Sequence, residues 1–131
     1  PHFVLPWPDS LDQAPVESLG RRLRFHEALG DEGANVNFVR YPDERRMEIR
    51  TYERGVEAET LSCGSGILAG VAAGVHLGRS ALPVRVAVQG GFELEVAGDS
   101  RVWLLTGDAR VVARGSLLPE ASASPPPPPW G

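Results

Sequence analysis

A short run of small and apolar residues restricts the possible folds more than any other part of the chain. Residues 67–77 read I-L-A-G-V-A-A-G-V-H-L and contain no Asp, Glu, Lys or Arg. A helix that is apolar all round is normally buried on every side, and Gly78 is a typical helix stop. Gly70 and Gly74 each cost a helix roughly 1 kcal/mol relative to Ala, so we expect neighbouring strands to approach closely there. The pattern therefore predicts a central helix surrounded by β-sheet.

The residues just before this helix have the character of a reactive site. They contain the only cysteine of the chain, Cys63, followed by Gly64, Ser65 and Gly66. The first N–H groups of a helix have no intrahelical partner and carry partial positive charge, so they stabilise carboxylates and other anions. The same position increases the thiolate fraction of a cysteine. A lone cysteine is usually an inert buried residue, but the glycines and the helix start favour a catalytic base or nucleophile beside an anion-binding backbone.

The rest of the chain reads mainly as strands. Residues 16–25 predict one short amphipathic helix, and residues 1–5 resemble the end of a strand. We therefore expect an α+β fold, in which a β-barrel-like antiparallel or mixed sheet is wrapped around one buried central helix. Residues 1–118 would form this lobe, and residues 119–131, rich in Ala, Ser and Pro, would form a disordered tail. The alternating or β-branched segments that predict strands are 35–41, 47–53, 84–88, 92–96, 102–106 and 109–114.

Composition narrows the functional classes. The net charge is −4, and the 13 Lys and Arg residues are scattered rather than clustered, which argues against a nucleic-acid-binding protein. The longest apolar run is too short to cross a membrane. A single cysteine allows no internal disulfide, as is usual in a reducing cytoplasm. We expect a cytoplasmic protein that binds neither nucleic acid nor membrane.

Several short sequence motifs in this chain resemble those of a known enzyme family. In order and in spacing they are similar to the C-terminal half of the diaminopimelate epimerases, and Pro1-His2 resembles the end of an Asn-Pro-His element of that family. The likeness extends to about residue 117. The motifs are N-V-N-F-V at 35–39, R-T-Y-E-R-G-V at 50–56, E-T-L-S-C-G-S-G at 59–66, Q-G-G at 89–91 and L-T-G at 105–107.

The resemblance implies an enzyme with two lobes, each a barrel-like sheet around a central helix. One cysteine from each lobe faces the α-carbon of the substrate, and the pair epimerises LL-diaminopimelate to the meso form without a cofactor. This chain would supply one thiol and need an N-terminal lobe, from the same polypeptide or a second chain. We also expect a homo-oligomer. The resemblance assigns catalytic roles to Cys63, Glu53 and His2, and substrate-binding roles to Asn35, Arg54, Gly64 and Ser65.

Some features depart from the family pattern and leave other interpretations open. The family usually has Gly-Val-Gly-Glu-Thr before the cysteine, whereas residues 55–60 are one residue longer and lack the second glycine, which could shift Cys63. A racemase for another amino acid, or a non-catalytic binding or assembly module that keeps the fold, are the alternatives. A cysteine hydrolase is less favoured because no His-Asn or His-Asp partnership is readable. His76 is expected to be a core histidine and His26 a surface one.

Overall fold

The computed structural model describes residues 1–116, which form a mixed sheet with a helix on each face. The α+β class predicted from the sequence is confirmed. The strands are β1 (His2–Pro6), β2 (Asn35–Asp43), β3 (Arg46–Glu53), β4 (Ala58–Thr60), β5 (Val84–Val88), β6 (Glu93–Gly98) and β7 (Trp103–Thr106); the helices are α1 (Val16–Arg24) and α2 (Gly64–His76), with short 3₁₀ turns at 11–13 and 27–29.

The strand order across the sheet is β1-β2-β3-β5-β6-β7, and β4 pairs with the end of β3 that β5 leaves free. β1 runs parallel to β2 and β3 runs parallel to β5, whereas the other neighbours are antiparallel. Over residues 1–116 the sheet curves around α2 without closing, because β1 and β7 do not pair. The parallel pairs need long connections, and α2 lies in the one between β3 and β5.

Two apolar clusters lie on opposite faces of the sheet, as the alternation of side chains along a strand requires. On one face Phe38 and Tyr52 pack with Val16 of α1. On the other, Val39 and Met47 pack with the helix α2. The side of β2 and β3 that faces α2 is also the side on which the candidate site lies.

The central helix α2 packs closely where the sequence places glycines. A Cβ on Gly70 would lie 3.0 Å from Cε of Met47, and a Cβ on Gly74 would lie 2.6 Å from a ring carbon of Tyr41. The Tyr41 hydroxyl also donates to the carbonyl of Gly70 at 2.8 Å. The expected close approach of strands to both glycines is confirmed.

The expectation that α2 is buried on every side is wrong for residues 1–116. Only the face with Gly66, Ile67, Gly70, Val71 and Gly74 is buried. The opposite face is exposed near the C-terminal end: Val75 is 39% exposed and Leu77 is 52% exposed. His76 is also exposed, so it is not a core histidine. A sheet that does not close leaves that side of the helix uncovered.

Other boundaries also differ from the sequence-based expectations. Residues 109–114 form no strand, and Val112 is 92% exposed, because no neighbouring strand pairs with them within the described chain. β4 is not among the strands that the sequence predicts. The predicted tail at 119–131 lies outside the described residues. Neither helix within residues 1–116 is long and apolar enough to cross a membrane.

Candidate active site

The cysteine lies at the N-terminus of α2, as the sequence predicts. Cys63 is the N-cap residue, with an extended backbone at φ −133° and ψ 106°, and its carbonyl accepts from the Ile67 N–H at 2.9 Å. The residue is 8% exposed, and its Sγ lies 3.6 Å from the Ser65 Oγ. Gly64 and Ser65 are exposed. The thiol thus sits just inside the surface, beside backbone N–H groups that a carboxylate can reach.

Strand register brings two further candidate residues to the same region. His2 of β1 lies beside Asn35 of β2, and β2 continues antiparallel to β3, with Val36 opposite Tyr52. One step along, Asn35 therefore faces the end of β3 at Glu53. The N-terminal end of β2 thus brings an imidazole, an amide and a carboxylate together.

The Glu53 carboxylate is held by the neighbouring strand. Its Oε2 accepts from the Thr60 Oγ1 at 2.7 Å, and Thr60 belongs to β4, which pairs with β3. Thr60 lies three residues before Cys63, so β4 links the carboxylate to the start of α2.

The His2 imidazole is partly buried and has a perturbed pKa. Burial lowers the pKa of His2 below its usual value near 6.5. The carboxylate of Glu53 opposes this effect, which is consistent with the two side chains sharing one site. At neutral pH the imidazole is therefore uncharged.

Asn35 and Arg54, the two residues expected to contact the distal end of the substrate, are in contact with each other. The Asn35 Oδ1 accepts from the backbone N–H of Arg54 at 2.7 Å. The guanidinium of Arg54 instead pairs with the Glu32 carboxylate at 2.5 Å, where Glu32 is 83% exposed. The structure thus brings Cys63 and Glu53 to one region through β4, whereas the charged group of Arg54 is directed to an exposed loop.

The longer loop before the cysteine is fastened to the body of the protein. Glu57 adopts a left-handed backbone at φ 59°, which is uncommon for a residue other than glycine. Its carboxylate accepts from Arg24 Nε at 3.1 Å and from the Gly55 N–H at 3.0 Å. Its carbonyl accepts from the Tyr52 hydroxyl at 2.8 Å. The extra residue is thereby accommodated while Cys63 stays at the start of α2.

A partly buried ion pair anchors the following strand. Arg50 donates twice to the carboxylate of Glu59, both times at 2.6 Å, and it also donates to the Leu11 carbonyl at 2.7 Å. The side chains of Arg50 and Glu59 are only 17% and 14% exposed. The Glu59 carboxylate raises the pKa of Arg50 further, so the guanidinium stays charged. This pair fixes β4, and with it the residue that holds Glu53.

Sequence reasoning missed Asn37. This side chain is fully buried between β1, β3 and the first turn of α2. The available signal was an asparagine at an inward-facing position of an alternating strand, since a buried amide requires hydrogen-bond partners. Over residues 1–116 no group of three or more His, Cys, Asp or Glu could hold a metal ion.

Fold and site together define a class: an α+β lobe that presents a thiol at a helix N-terminus, with a carboxylate and an imidazole on the strands of the same face. This set is suited to acid–base chemistry at a carbon that bears a carboxylate. A family model described as diaminopimelate epimerase matches residues 1–112, and the chain belongs to that family.

Comparison with individual proteins agrees with the family match. The chain is 40% identical over 123 residues to a protein named diaminopimelate epimerase from Aquifex aeolicus. The match covers 92% of this chain and 44% of that protein. It is 42% identical over 121 residues to one of the same name from Methanothrix thermoacetophila, covering 92% of this chain and 41% of the relative. The chain thus spans less than half the length of these relatives.

Proposed function

We propose that the chain forms the C-terminal lobe of an enzyme that interconverts LL- and meso-diaminopimelate, for lysine and peptidoglycan precursor synthesis, and that Cys63 is one of its two acid–base thiols. The observation that carries the proposal is the position of Cys63 at the N-cap of α2, followed by the exposed Gly64 and Ser65. Family membership and the names of the relatives support the choice of reaction.

The chemistry follows from this position. The α-carboxylate of the substrate docks on the N–H groups of Gly64 and Ser65. When the α-proton leaves, negative charge spreads onto that carboxylate, and the helix N-terminus stabilises it. In one direction the Cys63 thiolate takes the proton and becomes a thiol. A second thiol on the opposite face gives its proton to the carbon and becomes a thiolate. The two cysteines have then exchanged protonation states, and the α-carbon is inverted.

The remaining residues serve the thiol and the substrate. Glu53 and His2 supply hydrogen bonds to the two thiols. Asn35 and Arg54 contact the distal end of the substrate, after the Arg54 guanidinium exchanges Glu32 for the substrate. The second thiol belongs to an N-terminal lobe in the same polypeptide or in a second chain. That lobe, or a second copy in a homo-oligomer, would cover the exposed face of α2. We place the enzyme in the cytoplasm, where a free thiol persists.

The test is a chimera in which residues 1–116 replace the corresponding part of the Aquifex aeolicus relative. We expect it to convert LL-diaminopimelate to the meso form, measured by chiral chromatography. Replacing Cys63→Ser should lower the rate by at least about 100-fold, the usual contribution of a positioned acid–base group. The exposed Val112→Ala is the matched control and should leave the rate unchanged. A folded chimera that converts nothing would contradict the proposal.

One observation favours an alternative substrate. The Arg54 guanidinium is already paired with Glu32, so a racemase for an amino acid without a charged distal end would fit the same site. Assaying the chimera with such amino acids separates the two activities. A non-catalytic module is separated by the alkylation rate of Cys63, which in that case would not exceed the rate of a free thiol.

A further inference from the structure

The Asn37 amide makes hydrogen-bonding contacts with both neighbouring strands, β1 and β3, within the candidate site. Its Oδ1 accepts from the Thr51 Oγ1 at 3.1 Å. Its Nδ2 donates to the Phe3 carbonyl at 3.2 Å and lies 3.3 Å from the His2 Nδ1. The side chain is fully buried. A buried amide whose three hydrogen-bonding contacts come from the strands on either side of its own, β1 and β3, cannot rotate freely.

The Phe3 carbonyl determines which way the Asn37 amide points. A backbone carbonyl can only accept, so the amide group facing Phe3 must be the NH₂ rather than the oxygen. That NH₂ has two hydrogens, of which one goes to Phe3 and the other points to the His2 Nδ1. A group that faces an N–H donor must itself be an acceptor, so Nδ1 carries no proton. In a neutral imidazole the proton is then on Nε2.

We propose that Asn37 is a positioning residue that holds His2 in its neutral Nε2–H form, so that His2 acts in the site as a hydrogen-bond donor and not as a base. Protonating Nδ1 would place an N–H against the N–H of Asn37. The inference that this donor serves a catalytic thiolate or the substrate rests on the proposed function, whereas the tautomer itself does not.

The charged groups around His2 are compatible with this state. The Glu53 carboxylate at the end of β3 attracts a proton to the imidazole, but burial of the ring outweighs this effect and keeps the pKa of His2 lowered. Cys63 lies on the far side of Asn37, since a Cβ on Gly66 would be 2.4 Å from the Asn37 Oδ1 and 3.4 Å from the Cys63 Cβ. Asn37 thus connects the imidazole to the turn that carries the thiol.

The test is imidazole ¹⁵N NMR on the full chain, which has three histidines, with His2 assigned by loss of its signal in His2→Gln. We expect a pyridine-type Nδ1 and a protonated Nε2 at pH 7.5. In Asn37→Asp, a carboxylate that can only accept should favour the Nδ1–H or doubly protonated form and move the His2 titration to higher pH. The matched control is Thr51→Val, which removes a partner of Oδ1 but keeps the contact with His2, and should leave the tautomer unchanged.

The outcomes are distinct. An Nδ1–H tautomer in the unaltered chain would overturn the proposal, even if Asn37→Asp does not fold. A folded Asn37→Asp chain with the original tautomer and titration would overturn it as well. The readout needs no substrate, so a chimera without epimerase activity would contradict the proposed function while leaving the tautomer to be decided by NMR. If the proposed function and the Nε2–H tautomer are both confirmed, Asn37→Asp in the chimera should shift the acidic limb of the pH profile of kcat to higher pH.

Discussion

The Asn37 side chain occupies the space that a Cβ on Gly66 would need, because such a carbon would lie only 2.4 Å from the Asn37 Oδ1. Gly66 is in the first turn of α2, three residues after Cys63. The absence of a side chain at this position lets the helix start rest directly on the buried amide. The placement of the thiol therefore depends on a strand residue and a helix glycine that fit together.

Gly66→Ala should destabilise the chain. Overpacking of this kind costs about 1–3 kcal/mol, which exceeds the gain of up to about 1 kcal/mol in helix propensity. The control is Gly64→Ala, where the nearest atom to the new Cβ, on Leu105, would lie 3.4 Å away. Urea unfolding should place Gly66→Ala below the parent and Gly64→Ala close to it. Equal stability of the two variants would show that α2 does not rest on Asn37.

Arg50→Met should cost about 2 kcal/mol, because it leaves the Glu59 carboxylate buried without its charged partner. The exposed pair of Arg40 and Glu48 gives a control, since their side chains are 39% and 36% exposed and such pairs contribute about 1 kcal/mol or less. Chemical denaturation of Arg50→Met and Arg40→Met measures the difference. If both losses are small and equal, the ion pair of Arg50 and Glu59 does not anchor β4.

Stability should fall on mild acidification because of His2. Its folded-state pKa is lowered from 6.5, so below pH 6.5 the unfolded chain binds a proton that the folded chain resists, and the unfolded state is favoured. The contribution of the uncharged His2 side chain to the free energy of unfolding is therefore present above pH 6.5. It is lost as the pH falls toward the lowered folded-state pKa. Urea midpoints at pH 7.5 and 5.5 should differ less in His2→Gln than in the parent chain, since the carboxylates are common to both. An identical pH dependence would contradict this assignment.

The amino-acid sequence predicts those helices and strands whose signal lies in adjacent residues. The start of α2 at Gly64 follows from a glycine-rich turn before an apolar run, and β2 and β3 follow from alternating residues around a turn. The parallel pairing of β1 with β2 depends on partners distant in the chain, which periodicity does not identify. Residues 109–114 have strand-like composition but no strand to pair with in the described part of the chain, 1–116. The three residues of β4 are too few to show a period.

The candidate site also contains contacts between distant parts of the chain that local sequence patterns do not reveal. Cys63 was found from its own neighbours, and the family resemblance supplied Glu53 and His2. Asn37 lies in one of the motifs that carried the resemblance, but its importance comes from contacts with β1, β3 and α2 that only the folded chain brings together. Burial also could not be judged from α2 alone, because the exposure of His76 depends on what the rest of the sheet covers.

We propose that Cys63 exchanges a proton with the α-carbon of the substrate, and hydrogen exchange in D₂O measures this proton transfer directly. In the chimera, mass spectrometry should show deuterium entering the α-position of both LL- and meso-diaminopimelate. With Cys63→Ser, exchange from the face that this thiol serves should fall by at least about 100-fold, so at least one isomer should stop exchanging. Undiminished exchange of both isomers in a folded Cys63→Ser chimera would contradict the account.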